Sequence, residues 1–254
     1  MEFVDITFGM LAFLFCIALT AGFIDTLAGG GGLLTLPALI MSGIPPLYAL
    51  GTNKFQSSMG SGTATFMMIS KKRIDFGEVK FKMLTAFGGS LLGTILVQFI
   101  NTKLLSFIIP IILLIIAFYF LFSPRQVIEE GEEKISSTIY ANAVIPAIGF
   151  YDGMFGPGTG SFFVLAGVAL KGRGLVHSTA IAKSLNFATN IASLIIFIIA
   201  GKVLFPVGLL MMLGQGTGAW IGSHFLFKVD PKYLRYLLIT MSIGMLVKYA
   251  INLI

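Results

Sequence analysis

Two glycine-rich segments, each preceded by an aspartate, carry residue types suited to binding an anion. The aspartates are Asp25 and Asp152. The residues that follow them include Gly29, Gly30, Gly31 and Gly32 in the first segment and Gly156, Gly158, Thr159 and Gly160 in the second. Because glycine tolerates positive φ and close backbone approach, successive N–H groups of such a loop can converge on one anion. An apolar helix follows each loop, and the positive end of its dipole favours the same ligand.

A polar stripe on the long apolar segment after each loop offers a second set of groups. The first stripe contains Lys54, Ser57, Ser58, Ser61 and Thr65, and the second contains Lys183, Asn186, Asn190 and Ser193. A lysine within an apolar helix is costly, so it is expected to face a cavity or a counter-charge. The candidate ligands for an anionic substrate are therefore the glycines above with Thr159, together with Asn53, Lys54, Ser57, Lys183, Asn186 and Asn190.

The same residues also allow plainer structural roles. The glycines could serve only close helix packing, and each lysine could extend to the membrane interface. Asp25 and Asp152 could pair with the lysines, exchange protons in a proton-coupled process, or cap the loops by accepting backbone N–H bonds. At the level of sequence these alternatives stay open.

The composition places these segments in a lipid bilayer. Of the 254 residues, 56% are hydrophobic and 11% are charged, which leaves too little polar surface for a water-soluble fold. The net charge of +6 does not indicate nucleic acid, since the basic residues lie in short segments between apolar runs. Cys16 is the single cysteine, and no cluster in the sequence has the spacing of a metal site or of a catalytic centre. We therefore expect no cofactor, no metal and no enzymatic activity.

The apolar segments predict an all-α polytopic membrane protein with ten helical elements, five in each half, named here a to e. In the first half they are a (Phe3 to Ala21), b (Leu33 to Met41), c (Leu47 to Ile69), d (Lys82 to Ile100) and e (Leu104 to Phe122). In the second half they are a (Ile139 to Phe150), b (Ser161 to Leu170), c (Val176 to Ala200), d (Pro206 to Phe227) and e (Tyr233 to Leu253). The predicted division is thus a first repeat at 1–122, a polar linker at 123–138 and a second repeat at 139–254.

Three of these elements are expected to be partial helices. Both b elements and the second a have roughly 10 to 12 residues, too few to cross a hydrocarbon core of about 30 Å. Hydrophobic segments that are short and broken by glycine at matching places of two halves are typical of a transport site. Each pair of a and b is therefore predicted to meet at its glycine loop.

The two halves match in one register. Lys54 and Lys183 are separated by 183 − 54 = 129 residues. The same separation relates Phe76 to Phe205, Gly89 to Gly218 and Gly93 to Gly222. The glycine loops match at 152 − 25 = 127, which implies two additional residues between loop and helix c in the second half. The repeat predicts a duplicated fold, with the helix d glycines as close-packing faces.

Positive charge is placed differently in the two halves. In the first half it lies between c and d, at Lys71, Lys72, Arg73, Lys80 and Lys82. In the second half it lies at Lys171 and Arg173 between b and c, and at Lys228, Lys232 and Arg235 near the d to e connection. Because cytoplasmic loops carry the excess of Lys and Arg, this bias predicts an inverted repeat with both termini outside and the linker inside. A parallel repeat is the alternative.

Three motifs resemble the sulfite exporter TauE/SafE family, also called the toluene sulfonate uptake permease family. They are AGFIDTLAGGGGLLTLPAL at 21–39, GTNKFQSS at 51–58 and GFYDGMFGPGTG at 149–160, and the likeness covers nearly the whole chain. The resemblance implies a bacterial or archaeal inner-membrane permease for sulfite, sulfonates or related sulfur-containing organic anions. Its motif positions fall on Asp25, Gly29 to Gly32, Thr52, Asn53, Lys54, Asp152, Gly156, Gly158 and Gly160.

The second helix c departs from this pattern. Ile181-Ala182-Lys183 stands where the first half has Thr52-Asn53-Lys54. Any two-fold site must therefore be imperfect, and Asn186 is a candidate to supply the missing amide.

The residue chemistry and the resemblance together predict a multi-pass inner-membrane secondary transporter of a small anion. The expected mechanism is alternating access of one repeat against the other, with export as the direction that the resemblance implies. The alternatives are an anion channel that uses the glycine loops as its filter and an uptake permease for another organic anion. The expected partners are the anion and the lipid bilayer, while proton coupling and the oligomeric state stay open.

Overall fold

The computed structural model describes residues 7–122 and 131–225, and these residues are almost entirely helical. The helices are α1 (Phe8–Ala28), α2 (Gly32–Met41), α3 (Pro46–Ser70), α4 (Phe76–Gln98), α5 (Thr102–Phe122), α6 (Ser137–Ile139), α7 (Ile145–Met154), α8 (Thr159–Lys171), α9 (Leu175–Ile199) and α10 (Phe205–Phe225). A π-helical turn, Tyr140–Val144, joins α6 to α7. Within the described ranges there is no β-strand, which confirms the all-α prediction.

Polar and apolar side chains are distributed as in a protein whose solvent is lipid. In the described ranges, α1, α4 and α9 are each long and apolar enough to cross a membrane. Phe66, Phe107 and Leu213 are 62% to 69% exposed, whereas Lys54 and Lys183 are at most 1% exposed. Large apolar groups outside and charged groups inside reverse the pattern of water-soluble proteins. The fold is that of a multi-pass membrane protein.

Helix α1 continues past its predicted end at Ala21. It runs to Ala28 and closes at Gly29, whose φ of 81° is left-handed. Gly22 does not end the helix, because it packs directly on the backbone of Gln215 in α10, where a side chain would not fit. Asp25 therefore lies in the last turn of α1 rather than in a loop.

The second helix a is also longer than predicted. Its α6, π-helical and α7 segments form one continuous helix over 137–154, because the residues that join them all have right-handed helical φ and ψ. At 1.5 Å per residue this gives about 27 Å, close to the thickness of the membrane core. The π turn precedes Pro146, which has no N–H and whose ring needs room in the preceding turn. The expectation of a short second helix a is wrong.

The two b elements are short, as predicted. Helix α2 has 10 residues and α8 has 13, or about 15 and 20 Å. Helix α4, by contrast, begins at Phe76, six residues before the predicted start at Lys82. Lys80 and Lys82 therefore belong to its first turns and not to the preceding loop.

Helices α4 and α10, the d elements, pack mainly on the opposite half of the chain. Helix α4 lies against α7 and α9, and α10 lies against α1 and α3. A side chain would overlap with the facing backbone at four glycines, namely Gly89 against Pro146, Gly93 against Phe150, Gly218 against Leu19 and Gly222 against Phe23. The predicted close-packing role of these glycines is confirmed.

Apart from α5, which packs on α3, the described helices fall into two groups as a result of this exchange. Group 1 contains α1, α2, α3 and α10, and group 2 contains α4 and α6 to α9. One apolar cluster lies mostly in group 1 and includes Leu36 and Met211, while a second lies mostly in group 2 and includes Ile145 and Phe163. The groups meet where α3 crosses α9, and there Asn190 Nδ2 donates to Ser61 Oγ at 3.2 Å. Asn190 and Ser61 are themselves 129 residues apart, the separation of the repeat.

Three segments that charge placement assigns to the cytoplasm lie together. The linker residues Gly131 and Lys134 donate N–H bonds to the carbonyls of Gly172 and Leu170, at the C-terminal end of α8. Arg173 Nη2 lies 3.3 Å from Glu78 Oε1 at the start of α4. The linker, the α8–α9 connection and the start of α4 therefore share one end of the molecule. The membrane side of that end, and the inverted topology, stay predictions.

Some predictions fall outside the described residues. They are the start of the linker at 123–130, the second helix e from Tyr233 to Leu253, and the basic residues Lys228, Lys232 and Arg235.

Candidate functional site

The two glycine loops contact each other. The Ser161 N–H group donates to the carbonyl of Gly29 at 3.2 Å. A methyl group at either Gly29 or Gly160 would come within 3.0 Å of the other residue's backbone. Gly29 and Gly156, equivalent positions of the two loops, have φ values of 81° and 94°, which favour glycine. The two loops can therefore contact each other only because these positions are glycine.

A small cavity lies at this junction. It is lined by twelve of the residues selected from the sequence, namely Asp25, Gly29, Gly32, Asn53, Lys54, Ser57, Asp152, Gly156, Gly158, Gly160, Asn186 and Asn190. Its volume, counted as space open to the centres of water molecules, is about 20 Å³. That space holds roughly one or two waters. A substrate with the four heavy atoms of sulfite would need the loops or helices to move apart.

Lys54 and Asp152 form a buried ion pair at this cavity. Lys54 Nζ lies 2.8 Å from Asp152 Oδ2, and the two side chains are 1% and 2% exposed. Lys54 comes from α3 in the first half, and Asp152 from the last turn of α7 in the second. A methyl group at Gly156 would stand 3.2 Å from Lys54 Nζ and 3.4 Å from Asp152 Oδ1. Gly156 thus lets the ion pair lie directly against the glycine loop.

Lys183 and Asp25 form the equivalent pair with more contacts. Lys183 Nζ lies 3.0 Å from Asp25 Oδ2 and also donates to the backbone carbonyl of Asp25. The other carboxylate oxygen, Oδ1, accepts the N–H of Gly31 at 3.0 Å. Asp25 is therefore both an ion-pair partner and the cap of its loop. Lys183 is fully buried and does not line the cavity.

These pairs decide between the alternatives for the charged residues. Both lysines are buried against aspartates of the opposite half, so the interpretation that they extend to the membrane interface is wrong. The two lysines and two aspartates carry no net charge together. The positive excess suggested by the lysines alone is thus already compensated. An anion that enters adds a charge that something else must neutralise, because uncompensated buried charge is strongly unfavourable.

The N–H groups at the start of α2 are largely engaged. The N–H of Gly31 binds Asp25, and those of Leu33 and Leu34 bind the carbonyls of Gly30 and Gly31. The anion held by this end of the helix is the protein's own carboxylate. The backbone nest expected from the first glycine run is therefore occupied, and side chains must supply most donors on this side.

Three amides and a hydroxyl supply such donors. Asn53 Oδ1 accepts Thr35 Oγ1 at 2.5 Å and Gln56 Nε2 at 2.9 Å, which leaves its Nδ2 group to donate elsewhere. Ser57 Oγ also accepts from Gln56 Nε2. The side chain of Asn186 makes no hydrogen bond within the described part of the chain, while Asn190 binds Ser61. Thr35 was not selected from the sequence, because nothing in its local pattern indicates a contact between α2 and α3.

Five of the selected residues lie beside the cavity but do not line it. They are Gly30, Gly31, Thr52, Thr159 and Lys183. Thr52 Oγ1 accepts the N–H of Leu204 at 3.0 Å, so it joins α3 to the start of α10. Thr159 Oγ1 donates to the carbonyl of Gly156 at 2.8 Å and stabilises the second loop. In this conformation both hydroxyls have structural partners.

Comparison with known proteins settles the family. A family model described as sulfite exporter TauE/SafE matches residues 14–249. The chain belongs to this family. The resemblance noted from the three motifs is therefore confirmed, and the protein is a membrane transporter.

Relatives in three bacteria carry matching descriptions. The chain is 41% identical over 244 residues to the probable membrane transporter protein ORF9 of a Sinorhizobium species, covering 96% of this chain and 94% of the relative. It is also 41% identical over 244 residues to a probable membrane transporter protein of Haemophilus influenzae, covering 96% of each. Over 239 residues it is 41% identical to the probable membrane transporter protein YfcA of Escherichia coli K12, covering 94% and 89%. No solved structure matches the chain.

Proposed function

We propose that this protein is a secondary transporter of small sulfur-containing oxyanions, such as sulfite or organosulfonates, in the inner membrane. The observation that carries the proposal is the cavity where the two glycine loops meet, lined by Lys54 and by amide and hydroxyl groups. Export is the proposed direction, because the matching family is described as a sulfite exporter.

The lining of the cavity suits an oxyanion. An oxyanion taken from water needs several donors to replace its hydration, and charged donors contribute most. Lys54 supplies the charge, and Asn53 Nδ2, Asn186 and Ser57 supply neutral donors on two helices. Glycines around the rest of the cavity leave backbone groups accessible to a ligand.

The packing supports a carrier that alternates its access. The cavity is too small for the substrate in this conformation, and direct contact between the loops limits it. Because helices α4 and α10 are exchanged, the moving bodies are groups 1 and 2 rather than the two halves of the sequence. Group 1 would rock against group 2 about the crossing of α3 with α9, and this replaces the simpler expectation of repeat against repeat.

The test is flux of radiolabelled sulfite into proteoliposomes. We expect saturable uptake, and accelerated exchange when the vesicles are preloaded with unlabelled sulfite. Lys54→Ala should reduce this flux at least tenfold, because the cavity then lacks its cationic group. Lys103→Ala is the matched control, since Lys103 is exposed at the start of α5 and should leave the flux unchanged.

Two outcomes would contradict the proposal. Flux that neither saturates nor responds to preloading would indicate a channel. Folded, inserted protein that moves neither sulfite nor an alkyl sulfonate above empty liposomes would reject the substrate class.

A further inference from the structure

We infer that Asp152 alone couples anion transport to protons, and that Asp25, its equivalent in the first half, is a structural cap. This inference rests on the proposed transport function. It assigns the two aspartates different roles, although the repeat gives them equivalent positions.

The contacts of the two carboxylates differ. Asp25 accepts the Gly31 N–H at 3.0 Å and Lys183 Nζ at 3.0 Å, and Lys183 is held further by the Asp25 carbonyl. Among the described residues, the carboxylate of Asp152 has one partner, Lys54, whose Nζ lies 2.8 Å from Oδ2. Loss of the negative charge on Asp25 would weaken a loop cap as well as an ion pair. Loss of the charge on Asp152 would release only Lys54.

The two lysines also differ in whether they line the cavity. Lys54 lines the cavity, whereas Lys183 does not. A released Lys54 could therefore bind an incoming anion directly. A released Lys183 would remain enclosed, with a backbone carbonyl as its partner.

Within residues 7–122 and 131–225, few other charged groups face Asp152. Asp25 lines the same cavity with Lys183 as its own partner, and the neighbouring Tyr151 donates its hydroxyl to the carbonyl of Pro157 at 2.7 Å. At the cavity, α8 and α9 contribute glycine and asparagine, and α4 packs on α7 through glycine, serine and threonine. The charged residues of α4 and α8 are Glu78, Lys80, Lys82 and Lys171. Each lies two or more helical turns, along its own helix, from the residues beside Asp152. Among the charged groups that the structure describes, Lys54 is thus the dominant one acting on Asp152.

Charge balance then gives the coupled step. In the conformation described above, the charges of Lys54, Asp152, Lys183 and Asp25 sum to zero. When Asp152 takes a proton from the aqueous phase, Lys54 loses its counter-ion and a monovalent anion can replace it. The site stays neutral, and anion and proton cross and leave together. The result is one-to-one symport in which a deprotonated Asp152 competes with the anion for Lys54.

This coupling has a consequence for direction. An exterior more acidic than the interior favours inward flux through such a carrier. Export then proceeds when the anion is sufficiently more concentrated inside, and an acidic exterior opposes it.

The probe for this inference is radiolabelled methanesulfonate. It remains a monoanion throughout the useful pH range, whereas sulfite itself takes up a proton near neutral pH. With the wild-type protein we expect binding to tighten as the pH falls, by up to tenfold per pH unit, because one proton is linked to one anion. An acid-outside gradient should accelerate uptake, and a pH-sensitive dye inside the vesicles should record one proton per anion.

The decisive variants are Asp152→Asn and Asp25→Asn. Asp152→Asn imitates the protonated state, so it should bind methanesulfonate equally at every pH, retain exchange and lose acceleration by the gradient. Asp25→Asn should lower the Tm and keep a pH-dependent affinity. Gradient-driven uptake that survives in Asp152→Asn, or that is abolished in folded Asp25→Asn, would overturn the assignment.

The failures of the two proposals can be told apart. Wild-type flux that carries no protons and ignores pH would overturn the coupling and leave the transport proposal intact. Absence of any wild-type binding or flux, for both sulfite and methanesulfonate, would overturn transport itself. If Asp152→Asn does not fold, Asp152→Glu keeps a titratable group and should shift the pH profile of binding, whereas an unshifted profile would refute the role of Asp152.

Discussion

Gly93 in α4 is a position where the fold should not accept even a methyl group. An added Cβ would stand 2.9 Å from the carbonyl carbon of Phe150 and 3.1 Å from the nitrogen of Met154, and it would overlap with the Phe150 oxygen. Ordinary contacts of a Cβ atom begin near 3.4 Å. Helices α4 and α7 would have to separate by about 1 Å, and a gap of that size removes roughly a quarter to a half of the dispersion energy of the facing atoms.

Gly88 provides a matched control on the same helix. A Cβ atom at Gly88 would meet nothing within 4 Å. Both Gly88→Ala and Gly93→Ala gain up to about 1 kcal/mol from the better helix propensity of alanine. Only Gly93→Ala also suffers overpacking, at about 1–3 kcal/mol. We therefore expect Gly93→Ala to be less stable than Gly88→Ala by about 2 kcal/mol.

The assay is equilibrium unfolding of the purified variants in one detergent, followed by circular dichroism during titration with a denaturing detergent. The difference between two variants of one helix cancels most effects of the micelle. If the free energies of unfolding of Gly88→Ala and Gly93→Ala agree within about 0.5 kcal/mol, the close contact of Gly93 with α7 does not contribute to stability.

Two further predictions concern the frame around the site and its orientation. Thr52→Val should lower the free energy of unfolding by about 1–3 kcal/mol, because the Leu204 N–H loses its acceptor. Thr52→Ser keeps the hydroxyl and should retain stability, and thermal unfolding of both variants checks this. In a Cys16→Ser background, Lys202→Cys should react with a membrane-impermeant thiol reagent in intact cells and Lys72→Cys only after permeabilisation. The opposite pattern would refute the predicted placement of both termini outside.

The sequence was most informative where a chemical need repeats in both halves. Lys54 and Lys183 each required a counter-charge, and Asp25 and Asp152 were the matching anions within apolar sequence. Their pairing was therefore among the expected alternatives, and the structure confirms it. That each pair joins opposite halves could not be predicted, because it depends on which helices cross.

Helix ends were the weaker part of the prediction. The first helix a was predicted to end before Gly22, but Gly22 lies within α1 and packs on the backbone of Gln215. Its equivalent, Gly149, lies within α7 and packs on the backbone of Ala86. In a membrane protein a glycine inside a helix permits such contact, and the tertiary packing compensates for its poor propensity. The π turn before Pro146 likewise follows from steric demands that leave only a weak trace in sequence.

The sequence predicted which residues line the site, but not how their charges compensate one another. Twelve of the chosen residues line one cavity, because glycine, lysine and asparagine at membrane depth are costly unless they face one another or a ligand. The engagement of the Gly31 N–H by Asp25 was foreseen only as one alternative role. It changes the electrostatics of the site, since the protein's own carboxylate occupies the position where the substrate was expected.

The exchange of α4 and α10 between halves bears on how the chain assembles during synthesis. When the first half has entered the membrane, the glycine face of α4 still lacks α7 and α9, the helices that cover it in the finished fold. Its partners reach the bilayer only after the linker and much of the second half have been made. The first half is therefore not a self-sufficient folding unit. A chain that stops after the first half would expose to lipid the glycine face of α4, which α7 and α9 cover in the complete chain.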